Sequence, residues 1–167
     1  FWFYDNGYGK VKNRDEMLAE LIEACSRVED EEEKLEEMRR FKSKEVLRIG
    51  ANDLMDISGM QTTTGEISNL ADVCLEYALL HYKKILTRKH GELEETCRFC
   101  VISMGKLGGF ELNYSSDIDI IYVCEGNGVA SMSGMPYTEF YTQLAQKIMQ
   151  AINATTAQGY CFRVDTR

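Results

Sequence analysis

Nowhere in this sequence do 18 apolar residues run together, so no segment is built to cross a membrane as a helix. No secretory leader pattern opens it either. A basic excess is missing too: 27 acids face 19 lysines and arginines, for a net charge of −8. General nucleic-acid binders normally show a basic footprint, so no nucleic-acid partner is expected. Histidine is scarce, with only His81 and His90. A structural zinc site needs four ligands, and neither histidine lies at useful spacing from the Cys97-Arg98-Phe99-Cys100 pair. The six cysteines (Cys25, Cys74, Cys97, Cys100, Cys124, Cys161) therefore read as reduced thiols behaving as small hydrophobes. Proline occurs once, at Pro136, where it suits a helix start.

What remains is a 167-residue chain with 44% apolar residues, enough for a sizeable core. It reads as one domain, or one domain plus an appendage, and as a cytoplasmic protein. Because it starts at Phe1 and stops at Arg167 just after a strand-like segment, it also reads as a fragment of something larger.

Residues 1–92 are expected to be helical. The aromatic, glycine-rich opening from Phe1 to Lys12 is read as packing against the rest of the molecule. Met17, Leu18, Leu21, Ile22 and Cys25 recur at helical spacing within Arg14–Val28. The acidic run from Asp30 to Glu37 suits a helix N-terminus, and that helix should continue to about Asp56. Arg39, Arg40, Lys42, Lys44 and Arg48 place five cations within ten residues; the reading is an exposed face paired to the preceding acids. A break at Gly59–Thr64 precedes a Thr63/Glu66 capping box. The box should open a long helix with Ile67, Leu70, Ala71, Cys74, Tyr77, Ala78, His81 and Ile85 on its apolar stripe, ended by Gly91. His81 is read as a core or boundary histidine.

Residues 93–167 should hold a small sheet. Thr96–Ser103 reads as an interior strand, Asp117–Cys124 as a second, and Tyr160–Asp165 as a third, with Cys161, Arg163 and Asp165 on one face. Glu125–Met135 reads as a mobile glycine- and serine-rich loop, and a helix should run from Pro136 to about Asn153.

The chemistry concentrates between Met104 and Tyr122. Side chains alternate along a strand, so Asp117 and Asp119 point one way while Ile118 and Ile120 point into a core. Two carboxylates on one face make an oxygen site for a hard divalent cation, and Mg²⁺ is usually held by one or two carboxylates plus substrate phosphates. Beyond seven intervening residues on the N-terminal side of Asp117, Gly108 and Gly109 allow backbone N–H groups to approach phosphates closely. Ser115 and Ser116 are candidate hydroxyl donors, and Lys106 can reach a phosphate or stay solvated. Asp165, the only acid after Glu139, is the candidate third carboxylate.

Leu107-Gly108-Gly109 followed by Asp117-Ile118-Asp119-Ile120 resembles the signature of the polymerase-beta-type nucleotidyltransferase superfamily. The longer string from Met104 to Asp119 (Met-Gly-Lys-Leu-Gly-Gly-Phe-Glu-Leu-Asn-Tyr-Ser-Ser-Asp-Ile-Asp) is narrower. It resembles the glutamine synthetase adenylyltransferase / adenylyl-removing enzyme family, and the likeness extends from about Arg39 to Arg167. Ser103 stands where that family usually has glycine. The resemblance implies an α+β fold, with a polymerase-beta-like core preceded by a helical region. It implies Mg²⁺ or Mn²⁺ held by Asp117, Asp119 and Asp165, with ATP, ADP and phosphate as substrates or products. The implied partners are glutamine synthetase and a nitrogen-signalling regulatory protein. Glu111-Leu112-Asn113 and Ser115-Ser116 look more like the adenylyl-removing half, which releases ADP by phosphorolysis. The adenylylating half, a non-catalytic nucleotide-binding module and a nucleotidyltransferase with a different substrate remain open.

Overall fold

The computed structural model describes residues 9–166. The aromatic cluster at positions 1–8 and Arg167 lie outside the described residues. Helices α1 (Arg14–Ser26), α2 (Glu31–Leu54) and α3 (Met60–His90) come first. Strand β1 (Arg98–Met104), a single turn α4 (Gly105–Gly108), β2 (Ile118–Glu125), α5 (Tyr137–Asn153) and β3 (Val164–Thr166) follow. The α+β architecture is as expected.

Side-chain caps account for two helix starts. Asn13 accepts from the Glu16 N–H while the Glu16 carboxylate accepts from the Asn13 N–H, a reciprocal cap that satisfies two otherwise orphaned donors. Asp30 caps α2 by accepting from the Glu32 and Glu33 N–H groups, and the acids of the first turn complement the helix dipole. The expected Thr63/Glu66 capping box does not form. Helix α3 begins earlier, at Met60 after Gly59, so Thr63 sits inside it. The Thr63 hydroxyl meets Ser58 at 3.2 Å and Asp53 at 3.4 Å.

Glu66 instead joins a buried ion cluster. Its Oε1 accepts from the Lys12 N–H at 2.9 Å and from the Arg48 guanidinium at 2.7 Å. Arg48 also donates to Glu45, and Glu45 receives the Lys12 ammonium at 2.8 Å. All four residues are buried. Arg39 is buried too, donating to the Ala151 carbonyl. The basic segment of α2 is thus only partly an exposed face. Arg40 pairs with Glu37 at the surface, but Arg39 and Arg48 point inward, because partners from α3, α5 and the chain before α1 meet them there.

The sheet order is β1-β2-β3, with β1 antiparallel and β3 parallel to β2. Among the described residues β1 is an edge strand, not interior, and its exposure alternates. One face turns Phe99, Val101 and Tyr122 toward the core, where Phe99 stacks on Tyr141 of α5 with ring centroids 5.0 Å apart. The other face leaves Ile102, Met104 and Val123 exposed. Helix α5 buries Phe140, Tyr141, Leu144, Ile148 and Ile152, and α3 packs against it. Residues from the three long helices, the sheet and α5 all contribute to the same hydrophobic core.

Two further expectations are corrected. The loop after β2 is tied down: the Ser131 N–H donates to Glu92, and the Met132 and Ser133 N–H groups both donate to His90. The third strand is also shorter than expected. The Cys161 and Phe162 N–H groups both donate to the Ile152 carbonyl at the end of α5, which bends the chain away from strand geometry. Both side chains are consequently buried, and Cys161 does not share a face with Asp165. Cys25 and Cys74 are likewise buried, whereas Cys100 and Cys124 are exposed on the sheet; only some of the thiols act as core hydrophobes.

Candidate active site

The ends of β1, β2 and β3 converge at the glycine turn. In the β1–β2 register Met104 lies opposite Asp119. In the β2–β3 register Asp119 lies beside Asp165. Parallel neighbours in register place their side chains on the same face of a sheet, so Asp119 and Asp165 share one. Asp117 comes just before β2, and its carboxylate receives Arg163 Nε at 2.6 Å. Arg163 also donates to the Ser115 carbonyl at 3.3 Å, while its own carbonyl accepts from the Ile118 N–H. Asp119 and Asp165 are thus register neighbours at the start of β2, and Asp117 immediately precedes that strand.

Oxygen donors are the right chemistry for Mg²⁺ or Mn²⁺. Among the described residues no three acidic, cysteine or histidine side chains are close enough to cage an ion by themselves. A small cleft of about 190 Å³ is lined by Met104, Gly105, Asp119, Ile120 and Ile121. A much larger open cleft, about 1050 Å³, lies on the other side of the glycine turn, between Asp53, Met60, Thr64, Phe110 and Tyr114. Of the three candidate acids, Asp119 lines the small cleft, and none of the three lines the large one.

The glycines act differently from the sequence expectation. Gly109 uses its N–H to close the turn on the Gly105 carbonyl at 3.1 Å. A Cβ on Gly108 would lie 2.6 Å from the Ser103 carbonyl oxygen, so this glycine permits close packing of the turn on β1. The glycine that faces the carboxylates is Gly105. It has φ +53°, and a Cβ there would come within 2.7 Å of Asp119 Oδ2. Its position directly after a strand was the available sequence signal. Lys106 is exposed beside it. The Ser116 hydroxyl donates to Asn113 at 2.8 Å, and Ser115 is exposed.

The helical region holds the segment between the turn and Asp117. The Ser68 hydroxyl of α3 accepts from the Leu112 N–H at 3.1 Å and donates to the Thr64 carbonyl. The Tyr114 hydroxyl donates to Asp53 of α2 at 3.0 Å. Burial, with the Asp53 hydrogen bond second, pushes the Tyr114 phenol up to about 12. Ser68, Asp53 and Arg163 all escaped sequence reasoning, because each acts across a large sequence separation.

A family model described as glutamate-ammonia ligase adenylyltransferase matches residues 3–167. The chain belongs to the glutamate-ammonia ligase adenylyltransferase family. Several curated relatives are named bifunctional glutamine synthetase adenylyltransferase/adenylyl-removing enzyme. The one from Pseudomonas aeruginosa is 36% identical over 173 residues, covering 98% of this chain and 17% of the relative. Those from Hahella chejuensis and Thioalkalivibrio sulfidiphilus are 36% and 32% identical, each covering 91% of this chain and 16% of the relative. The chain thus spans about one-sixth of the length of these adenylyltransferase relatives. Among the described residues, no helix is long and apolar enough to cross a membrane.

Proposed function

We propose that this chain carries a metal-dependent nucleotidyltransferase centre that removes AMP from a modified tyrosine of glutamine synthetase by phosphorolysis. The observation that carries the reading is the register of Asp119 beside Asp165, with Asp117 at the mouth of β2 and Gly105 against Asp119. The relatives' printed names supply the reaction class and the protein substrate. The Glu111-Leu112-Asn113 and Ser115-Ser116 pattern favours the removing direction. The relatives' bifunctional names keep adenylylation of the tyrosine from ATP as the second reading.

In the removing direction an oxygen of inorganic phosphate attacks the AMP phosphorus. The bond to the tyrosine oxygen breaks, the phenol takes up a proton, and ADP leaves. Asp117, Asp119 and Asp165 would hold Mg²⁺ or Mn²⁺, which neutralises charge on the phosphates when bound. Lys106 and Ser115, both exposed, would be the residues to meet phosphate oxygens. The protein's task in such a transfer is positioning and charge stabilisation, without a covalent intermediate. A cytoplasmic setting and a nitrogen-signalling partner belong to the same proposal.

The test is ADP release from AMP-modified glutamine synthetase with phosphate and Mg²⁺. Asp119→Asn should lower the rate by about a hundredfold or more, since a metal clamp on a phosphoryl group supplies several kcal/mol. ATP-driven tyrosine modification without ADP release would select the adenylylating reading. Neither product, from protein shown to be folded, would overturn both.

A further inference from the structure

The Arg163–Asp117 pair has a second consequence, which rests on the metal-centre reading above. Arg163 Nε sits 2.6 Å from Asp117 Oδ1, on an oxygen that a divalent cation would need. A dication bound to that carboxylate draws off the charge the guanidinium pairs with and repels the guanidinium itself, so the two compete for Asp117. The Arg163 backbone is fixed to β2 through its carbonyl, yet its side chain is 61% exposed and that of Asp117 is 55% exposed. The backbone is thus tied to the sheet while the guanidinium lies at the solvent-exposed surface. Exposed ion pairs are weak, so a cation arriving with a nucleotide can displace this one. The released guanidinium stays within a side chain's length of the same carboxylates, and its planar fork suits phosphate oxygens.

We propose that Arg163 is a placeholder for the cation at Asp117 and becomes a phosphate clamp once the cation displaces it. While the guanidinium is in place it keeps the Asp117 carboxylate oriented and the strand end closed over the Ser115 carbonyl. After exchange it pairs with the phosphates of a nucleoside diphosphate held at the same edge of the sheet. Arg163 is thus a competitor of the metal and a ligand of the nucleotide, two effects of opposite sign in one side chain.

That opposition makes the test sharp. Mn²⁺ binding without nucleotide is followed by loss of the free-ion paramagnetic signal in the unaltered protein, Arg163→Gln, Arg163→Lys and Asp119→Asn. ADP binding is then measured by calorimetry at saturating Mn²⁺. Arg163→Gln should bind Mn²⁺ about two- to fivefold more tightly, the range an exposed ion pair can contribute. It should bind ADP about tenfold more weakly, as expected for loss of a charge-assisted contact. Arg163→Lys keeps the charge without the fork and should fall between for both ligands. A structural role alone would not tighten Mn²⁺ binding. Unchanged or weaker Mn²⁺ binding in Arg163→Gln would overturn the placeholder, and unchanged ADP binding would overturn the clamp. Asp119→Asn separates the two layers. If it binds Mn²⁺ as the unaltered protein does, or if the unaltered protein binds none, the metal-centre reading fails and this inference with it. If Asp119→Asn alone loses Mn²⁺, the centre stands and the Arg163 variants decide the inference.

Discussion

Gly105 and Asp119 meet so closely that a single methyl group cannot fit between them: a Cβ at position 105 would lie 2.7 Å from the Asp119 carboxylate oxygen. The backbone there is left-handed, with φ +53°, which costs a residue with a Cβ about 1 to 2 kcal/mol. Gly105→Ala should therefore lower stability by about that amount in urea unfolding. It should also displace Asp119 and cut ADP release by more than the folded fraction accounts for. Gly108→Ala is the contrast. Its clash is with the Ser103 carbonyl, so it should weaken the fold and leave the residual activity per folded molecule closer to normal.

The Lys12–Glu45–Arg48–Glu66 cluster ties the chain before α1, α2 and α3 together with every member buried. Removing one partner from such a cluster leaves charge without its counter-ion, at a cost of about 3 to 5 kcal/mol. Glu66→Gln should lower the melting temperature by about 10 °C or more for a chain of this size. Circular dichroism during a thermal scan measures it.

Ser68 is the link between the helical region and the active segment. With Ser68→Ala, the buried Leu112 N–H loses its acceptor, which costs about 1 to 3 kcal/mol. Asp117 lies five residues beyond Leu112 on the same segment, so the substitution should also weaken Mn²⁺ binding. Ser68→Thr keeps the hydroxyl and should restore part of both losses.

His81 makes stability pH-dependent. Burial lowers its imidazole below the usual 6.5, with Glu31 pulling the other way and Lys34 and Lys84 adding to the lowering. Its Nδ1 is 3.5 Å from Glu31. A base with a lowered folded pKa binds its proton more readily when unfolded. Stability should accordingly be unaffected by His81 well above pH 6.5, fall as pH drops through 6.5, and level off below the folded value. His81→Gln should flatten that part of the curve. The difference between the two proteins' unfolding free energies at pH 8 and pH 5.5 tests it.

Much of the architecture was legible in the chain. The periodicity of Met17, Leu21 and Cys25 located α1, Asp30 located the start of α2, and the alternation around Ile118 and Ile120 located β2. The carboxylate edge was legible because Asp117, Asp119 and Asp165 sit in or beside short apolar strands. Errors came where a local rule met a distant partner. Thr63 and Glu66 have capping-box spacing, but Arg48 and the Lys12 amide claim Glu66. Tyr160–Asp165 alternates like a strand, but the Ile152 carbonyl claims the Cys161 and Phe162 amides.

The residue string from Met104 to Asp119 carried the family resemblance, while periodicity and alternation indicated the α+β class and marked the three acids as candidates, because side-chain alternation and glycine's missing Cβ are properties of the residues themselves. Only the tertiary structure decided that Asp165 lies in register with Asp119, that Gly105 is the glycine against the carboxylate, and that Arg163 sits on Asp117. Each of those depends on which strands pair and which helix buries which charge. Burial and pairing over tens of residues are settled by the whole core, and no local pattern carries that information.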